Sequence, residues 1–186
     1  MAKNVGVIVG SLRKESWNLK LAHTLIQLAP ASLHMEIIEI ASLPLYNQDP
    51  DDHGKPYSEW TAFREKVKVK DGILFVTPEY NRSIPAPLKN AVDVGSRPYG
   101  QSVWNKKPCA VISASPSAIG GFGANHHLRQ TFVFLDMFCL QQPESYIGGV
   151  DKLFDANGKL VKEDTRVFLQ KFIDAYAEWV EKIASK

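Results

Sequence analysis

Three short runs of consecutive apolar residues limit the folds open to this chain more than any other feature of its sequence. They cover residues 5–9, 73–76 and 109–112, and glycine, proline or serine follows each run within two residues. A run that is apolar at every position predicts a strand buried on both faces. Such strands are typical of parallel sheets covered by helices, so an α/β architecture is expected.

Segments with the three- and four-residue spacing of amphipathic helices separate these runs. The clearest is the last one, in which apolar residues recur from Val161 to Ile183. The predicted helices cover residues 17–28, 58–69 with Ser58 as the cap, a segment beginning at Pro85, 125–135 and 161–183. Residues 35–40 predict a further strand, residues 44–56 a loop, and either residues 137–140 or residues 145–147 a fifth strand.

The order of these elements predicts the topology. Strands that alternate with helices indicate βαβ units and a parallel sheet. Five such strands fit the flavodoxin-like strand order 2-1-3-4-5, a three-layer α/β sandwich. Because the sequence contains neither an internal repeat nor a linker-like segment, residues 1–186 are expected to form a single domain.

Composition and charge exclude several classes of protein. The chain carries 22 Lys and Arg residues against 20 Asp and Glu residues, a net charge of +2, so no nucleic-acid partner is expected. No apolar stretch reaches the length of a membrane span and no signal-peptide pattern is present, which predicts a cytoplasmic protein without a membrane span. Cys109 and Cys139 lack CxxC spacing, so reduced thiols are expected.

The loop after the first predicted strand is a candidate phosphate site. In a doubly wound sheet, ligands bind beyond the carboxyl ends of the strands. Ser11, Ser16 and Asn18 supply small polar side chains at the start of a helix, with cations beside them at positions 13 and 14. A helix N-terminus favours anions. The alternative is an ordinary capped helix whose charged side chains are solvated.

Two further loops follow the third and fourth predicted strands. Residues 77–85 contain two prolines and an asparagine, which restrict the backbone and predict a rigid platform. Such a platform can present backbone groups to the polar edge of a planar heterocycle, and Tyr80 can pack against it. Residues 113–123 are rich in serine and glycine, and glycine lets the backbone approach a ligand closely. The alternatives are a plain connection and a flexible turn.

Other polar groups give no second site, and no metal is predicted. His126 and His127 are adjacent and point in different directions on a helix, which favours structural or surface roles. The acidic residues at 49–52 lack EF-hand spacing and are expected to be solvated. The serines of the three loops lie outside any GxSxG motif, so a hydrolase triad is not supported.

Two of the loops together resemble a known family. The sequence GSLRKESWN at 10–18 and the sequence TPEYNRSIPAPLKNAVD at 77–93 are similar to the NADPH-dependent FMN reductase family, within it to the chromate and quinone reductases. The resemblance extends from Val5 to the final helix and includes residues 119–121 and 127–130. It implies a flavodoxin-like fold that holds FMN without a covalent bond.

The resemblance also implies which residues bind the cofactor. The FMN phosphate would be held by Ser11, Arg13, Ser16 and Asn18, with Leu12 and Trp17 in the same loop. The isoalloxazine ring would be bordered, mainly through backbone groups, by Pro78, Glu79, Tyr80 and Asn81, with Ser115 also touching the flavin. Arg82 is also assigned to the cofactor site, at a position where relatives often carry an aromatic residue.

The chemistry implied by the resemblance is that of an FMN-dependent NAD(P)H oxidoreductase of the quinone or chromate reductase type. NADPH or NADH would be the electron donor, and quinones, metal oxyanions or similar small molecules the acceptors. The flavin itself would carry the hydride, so no catalytic protein residue is assigned. Arg97 is a candidate contact for a cofactor phosphate or an anionic acceptor, and the alternative is a solvated surface arginine.

Other functions and assemblies remain open from the sequence. The resemblance implies a homodimer or homotetramer, with residues 125–135 and 143–144 as a candidate contact. The alternative function is a flavodoxin-type electron carrier that binds FMN but serves a protein partner. Such carriers are often strongly acidic, which steers their partners, whereas this chain is near neutral, which favours the enzyme. A third alternative is a structural flavodoxin-like domain with an empty pocket.

Overall fold

The computed structural model describes residues 1–184. The strands are β1 (Lys3–Val9), β2 (Leu33–Ile37), β3 (Gly72–Thr77), β4 (Pro108–Ser115), β5 (Phe138–Cys139) and β6 (Tyr146–Gly148). The helices are α1 (Trp17–Leu28), α2 (Gln48–Asp52), α3 (Ser58–Lys68), α4 (Ala86–Gly95), α5 (Phe122–Phe134) and α6 (Glu163–Ala184), with a short 3-10 turn at Val150–Lys152. Within residues 1–184, no helix is both long and apolar enough to cross a bilayer.

All strands pair in parallel, in the order β2-β1-β3-β4-β5. The predicted flavodoxin-like order is therefore confirmed. The fifth position holds both segments that the sequence offered for it: β5 pairs with the start of β4, and β6 pairs with its end. Pro143 lies between the two segments and has no N–H to give to a continuous ladder.

Helices cover both faces of the sheet with separate apolar layers. Val5, Val7 and Val9 of β1 face the layer that contains α1 and α6. Ile8 faces the layer that contains α3, α4 and α5. Because successive side chains of a strand point to opposite faces, a central strand between two apolar layers must be apolar at every position. This explains the runs that dominate the sequence.

Strand β2 and helix α3 begin and end differently from the sequence prediction. β2 covers 33–37 rather than 35–40, because its pairing with β1 ends at Ile37. Beyond that point Ile38 and Ile40 are buried in the layer beneath α3 and α4. Ser58 does not cap α3. It is the first helical residue, and Tyr57 precedes it without a side-chain capping bond.

The last two long helices also have different bounds. α5 begins at Phe122, three residues earlier than expected, directly after the glycine-rich loop. α6 begins at Glu163, so Val161 lies outside it and is exposed. The spacing of Val161 fits the helical period, but its backbone N–H donates to the carbonyl of Leu153 in a separate turn. The core-facing prediction holds for Phe172 and Tyr176, which are buried.

The loop predicted at 44–56 contains helix α2, and the expectation of a solvated acidic cluster is wrong for Asp51. The side chain of Asp51 is 2% exposed. Its two carboxylate oxygens accept hydrogen bonds of 2.8 and 2.7 Å from the guanidinium of Arg64. Arg64 Nε also donates to the carbonyl of Val94 at 2.9 Å. These hydrogen bonds from Arg64 hold the pKa of Asp51 below its ordinary value, although burial opposes the shift.

We expect Asp51→Asn to lower the free energy of unfolding by about 3 kcal/mol near neutral pH, because Arg64 would stay buried without its carboxylate. The native pKa lies below that of an unfolded aspartate, about 3.9. The pair therefore gives its full stability above that value and loses it as the pH falls through the native pKa. Denaturant unfolding across pH should show the difference between variant and wild type shrinking in acid.

The exposed neighbour Asp52 provides the control for this measurement. Asp52→Asn should change the free energy of unfolding by less than about 0.5 kcal/mol. Equal losses for the two substitutions would contradict a specific role for the buried ion pair.

Candidate functional site

A cavity of about 130 Å³ opens at the carboxyl ends of β1, β3 and β4. It lies where the strand order reverses, between β1 and β3, which is where doubly wound sheets bind ligands. Nine residues named from the sequence line it: Ser11, Arg13, Ser16, Trp17, Asn18, Pro78, Glu79, Tyr80 and Ser115. Three lining residues were not predicted: Ala114, Pro116 and Val150.

The first wall of the cavity is the loop between β1 and α1. Ser16 caps α1, and its hydroxyl accepts a hydrogen bond of 3.2 Å from the N–H of Leu19. The N–H groups of Trp17 and Asn18 belong to the first helical turn, which has no acceptors within the helix. Arg13, an exposed cation, lines the same wall. The wall therefore presents backbone donors, a hydroxyl and a positive charge to one space.

Asn18 connects this wall to the end of β4. Its Nδ2 donates to the carbonyl of Ala114 at 3.3 Å, and the residue is 4% exposed. Its Oδ1 is buried and has no hydrogen-bond partner within residues 1–184. A buried polar atom without a partner costs about 1–3 kcal/mol. Because Asn18 lines the cavity, a polar group placed there could satisfy this oxygen.

The second wall is the loop after β3, and it is built around a tight turn. Tyr80 and Ser83 exchange two backbone hydrogen bonds of 3.1 and 2.9 Å. Between them Asn81 and Arg82 have φ values of 50° and 64°, the left-handed pair that a type I′ turn requires. Asn81 and Arg82 form the exposed tip of the turn and do not line the cavity.

Glu79 fixes this loop to helix α5. Its carboxylate accepts the N–H of Ala124 in the first turn of α5 at 3.0 Å and the guanidinium of Arg82 at 2.8 Å. Gly121, the residue before that helix, has no side chain to cap it, so Glu79 caps the helix from another loop. A Cβ on Gly123 would lie 2.6 Å from the carbonyl oxygen of Arg82. Glycine is therefore required where the loop meets the helix.

The third wall is the serine- and glycine-rich loop after β4. Ser115 Oγ accepts the N–H of Ser117 at 3.1 Å, which closes the start of the loop. At its other end Gly120 has a φ of 63°, and a Cβ there would lie 2.6 Å from the carbonyl carbon of Tyr146 on β6. Contacts at both ends hold the loop in place, which argues against a flexible turn.

The two histidines have separate structural contacts. His127 Nδ1 lies 2.9 Å from the hydroxyl of Ser83 and so joins α5 to the second wall. His126 Nε2 lies 2.8 Å from the hydroxyl of Tyr146. The sequence prediction that they point in different directions agrees with these contacts.

Some residues named from the sequence lie elsewhere. Leu12 lines a neighbouring depression formed with residues 37–41. Arg97 lines a separate cavity of about 290 Å³ together with Phe134, and shares no lining residue with the site described above. Of the unpredicted lining residues, Val150 had one signal in the sequence, since the glycine pair before it allows a sharp turn, and Gly149 has a φ of 59°.

Comparison with known proteins gives a consistent set of relatives. A family model described as NADPH-dependent FMN reductase matches residues 3–152. A quinone reductase from Pseudomonas putida is 60% identical over 178 residues, 96% of this chain and 95% of that protein. A 2-hydroxy-1,4-benzoquinone reductase from a Burkholderia species is 49% identical over 180 residues, 97% of each.

Among solved structures, a similar fold and sequence occur in FerB, a flavoenzyme NAD(P)H:(acceptor) oxidoreductase from Paracoccus denitrificans. It is 39% identical, with a TM-score of 0.91 over 98% of this chain and 99% of that chain. The residues matched by the family model include all three walls of the cavity.

We expect Glu79→Ala to lower the free energy of unfolding by about 1–2 kcal/mol, because it removes the acceptor that caps α5. Arg82→Ala should cost less than Glu79→Ala, since the Arg82 side chain is 67% exposed and its attraction to Glu79 is screened by solvent. Urea denaturation of both variants measures the two values. Equal losses would contradict the conclusion that the carboxylate fixes the loop through Ala124.

Proposed function

The chain belongs to the NADPH-dependent FMN reductase family, and we propose that it reduces quinones with electrons from NAD(P)H, using FMN bound in the cavity between β1, β3 and β4. As a member of this family it is an oxidoreductase, with FMN as its cofactor and NAD(P)H as its donor. The location of the flavin, the residues that bind it and the class of acceptor are what we propose in addition.

The composition of the first wall supports this location of the flavin. The wall offers hydrogen-bond donors and a positive charge to an anion, next to a buried polar atom without a partner within residues 1–184. Arg13 supplies charge, Ser11 and Ser16 supply hydroxyls, and the first turn of α1 supplies backbone N–H groups. The orphaned Oδ1 of Asn18 lies in the same wall. A phosphate ester of a polyol chain offers both an anion and hydroxyl donors, so the residues present fit FMN.

The other two walls fit a planar ring. Pro78 and the turn after it give the second wall a fixed backbone, because Glu79 and the Tyr80–Ser83 hydrogen bonds hold it in place. Ala114, Ser115 and Pro116 border the opposite side. Asn81, Arg82 and Leu12 lie outside the lining, so we propose for them a supporting role beside the cofactor rather than direct enclosure of it.

The chain's residues position and expose the cofactor rather than perform the bond changes. Bound FMN supplies hydride acceptance from a reduced nicotinamide and transfer of two electrons to a second substrate. Tyr80 lines the cavity while 48% of it remains exposed. A half-open aromatic wall lets one flat molecule leave and another enter. We therefore propose that nicotinamide and acceptor occupy the same opening in turn.

The acceptor class follows from the same geometry and from the relatives. One relative is named a quinone reductase and another a 2-hydroxy-1,4-benzoquinone reductase, and an open mouth with an aromatic edge suits quinones. Metal oxyanions such as chromate are a further proposed class of acceptor. The flavodoxin-type carrier remains the second candidate function, although the net charge of +2 lacks the strong acidic excess that often steers the partners of such carriers.

An assembly of two or four copies is also a proposal, and exposed apolar residues support it. Val133 and Phe134 at the end of α5 are 83% and 77% exposed, on the helix suggested as a contact. A monomeric mass by light scattering would refute the proposal.

We also propose that the chain forms a single domain, that it acts in the cytoplasm and that Arg97 contributes to anion binding. Unchanged kinetic parameters for Arg97→Ala would refute the proposed role of Arg97.

The visible absorption spectrum of the purified protein, followed by anaerobic addition of NADPH, tests the proposed function. We expect flavin bands that bleach, and initial-rate lines that are parallel when donor and acceptor are varied. Bands that persist with both NADPH and NADH would favour the electron carrier. Absence of bands after reconstitution with FMN would show that the cavity is not a flavin site.

We expect Arg13→Met to weaken FMN binding by about 10- to 100-fold, because a hydrogen bond to a charged group contributes about 1.5–3 kcal/mol. Riboflavin, which lacks the phosphate, should bind equally well to variant and wild type. Lys14→Met is the matched control, since Lys14 is a neighbouring cation outside the cavity lining. Fluorescence titration gives all the affinities. An equal loss for riboflavin would contradict a phosphate contact.

A further inference from the structure

The two cysteines, which are far apart in sequence, occupy paired positions on neighbouring strands. Cys109 of β4 and Cys139 of β5 are register partners, and both are free thiols. Neighbouring strands lie about 4.8 Å apart, inside the range of about 4.4–6.8 Å that a disulfide spans between Cα atoms. β5 is an edge segment of two residues, so it can adjust to a bond more easily than a central strand.

The surroundings of the two thiols differ. Cys109 is buried in the apolar layer beneath α5, and burial raises the pKa of its thiol. Cys139 is half-buried at the sheet edge. A hydrogen bond from Cys109, together with the charge of Arg129, lowers the pKa of the Cys139 thiol even though burial opposes the shift. Because Cys139 is less buried than Cys109 and lies beside Arg129, the surroundings favour its ionisation over that of Cys109.

Arg129 is held in place beside Cys139. Its Nη1 lies 3.4 Å from Cys139 Sγ and donates to the carbonyl of Leu140 at 3.0 Å. Its Nε donates to Asn125 Oδ1 at 3.0 Å. Tyr176 on α6 belongs to the apolar layer on the other face of the sheet, and burial raises the pKa of its hydroxyl. A fixed cation beside a thiol with a second thiol opposite is the arrangement of a reactive cysteine.

We propose that Cys139 and Cys109 are a modification site, at which hydrogen peroxide converts the two thiols into a reversible disulfide. First, the Cys139 thiolate attacks one peroxide oxygen: an S–O bond forms, the O–O bond breaks, and the departing hydroxide takes a proton to become water. Second, the Cys109 sulfur attacks the sulfenic acid at Cys139: the S–S bond forms, the S–O bond breaks, and water leaves with the Cys109 proton. Two electrons pass from the thiols to peroxide.

The site is independent of the flavin cavity but is connected to one of its walls. Asn125, which accepts from Arg129, donates through Nδ2 to the hydroxyl of Ser113 at 3.3 Å and to the carbonyl of Ser145 at 3.2 Å. Ser113 lies on β4, just before the third wall. Oxidation changes the sulfur group beside Arg129 at one end of this buried network. A change at the sheet edge can thus reach the wall without any contact with the cofactor.

Intact-mass analysis of the full chain tests the proposal. The protein is treated with hydrogen peroxide and is then denatured in the presence of an alkylating reagent, which labels any free thiol. We expect wild type to lose the mass of two hydrogen atoms and to take up no alkyl groups, and a reductant to restore both thiols. Cys109→Ser should instead give a sulfenic acid that dimedone traps at Cys139. Cys139→Ser should stay reduced. Separate over-oxidation of the two cysteines, without a disulfide, would overturn the proposal.

The role of Arg129 is tested by the rate. Arg129→Gln should slow peroxide oxidation about tenfold near neutral pH, because it removes the cation beside the thiolate. Arg166→Gln is the control, since Arg166 is an exposed arginine paired with Glu163 on α6. If Arg129→Gln does not fold, the pH–rate profile of wild type decides: a midpoint below that of a free cysteine, about 8.5, supports the proposal, and one above it refutes it.

Discussion

Parallel pairing of β1, β3 and β4 determines where each strand ends, and the rest of the molecule depends on it. Val9 pairs with Val76, and Val76 pairs with Ile112, so three loops that are distant in sequence begin at one level. The N–H of Gly10 continues the ladder by donating to Val76. A slip of one residue would move every side chain of a strand to the other face. In β1, β3 and β4 such a slip would exchange the side chains that pack in the two apolar layers.

The sequence was sufficient for the central strands and for most of the residues that line the candidate cavity, because both depend on local patterns. Apolar runs identify strands with two covered faces, and the polar residues that follow them must lie at one edge. It was insufficient where a distant contact decides the structure. Asp51 is buried because it pairs with Arg64 on another helix, and the spacing of the two residues in the sequence does not predict this pairing. Likewise β5 and β6 share one position because β4 offers a long edge to both.

Several polar residues that line the cavity make hydrogen bonds that hold the protein's own structure together. Glu79 caps α5, Ser16 caps α1, and Asn18 ties the first wall to β4 through its amide nitrogen. The resemblance to relatives implies that these residues contact a cofactor, but it does not indicate which of their atoms bond within the protein. For Asn18 the amide nitrogen is bonded within the protein, whereas the oxygen has no partner within residues 1–184. Walls fixed in this way lose little conformational freedom when a ligand binds, which favours affinity.

The division of the outer edge of the sheet into β5 and β6 has a consequence for how the protein behaves in a concentrated solution. A long exposed edge strand is a template on which other chains can add strands and aggregate. Here the edge beside β4 is interrupted between Cys139 and Tyr146, and the interrupting segment contains Pro143. Each segment offers a backbone row of three residues at most. The same interruption that obscured the fifth strand in the sequence therefore protects the sheet against growth from that side.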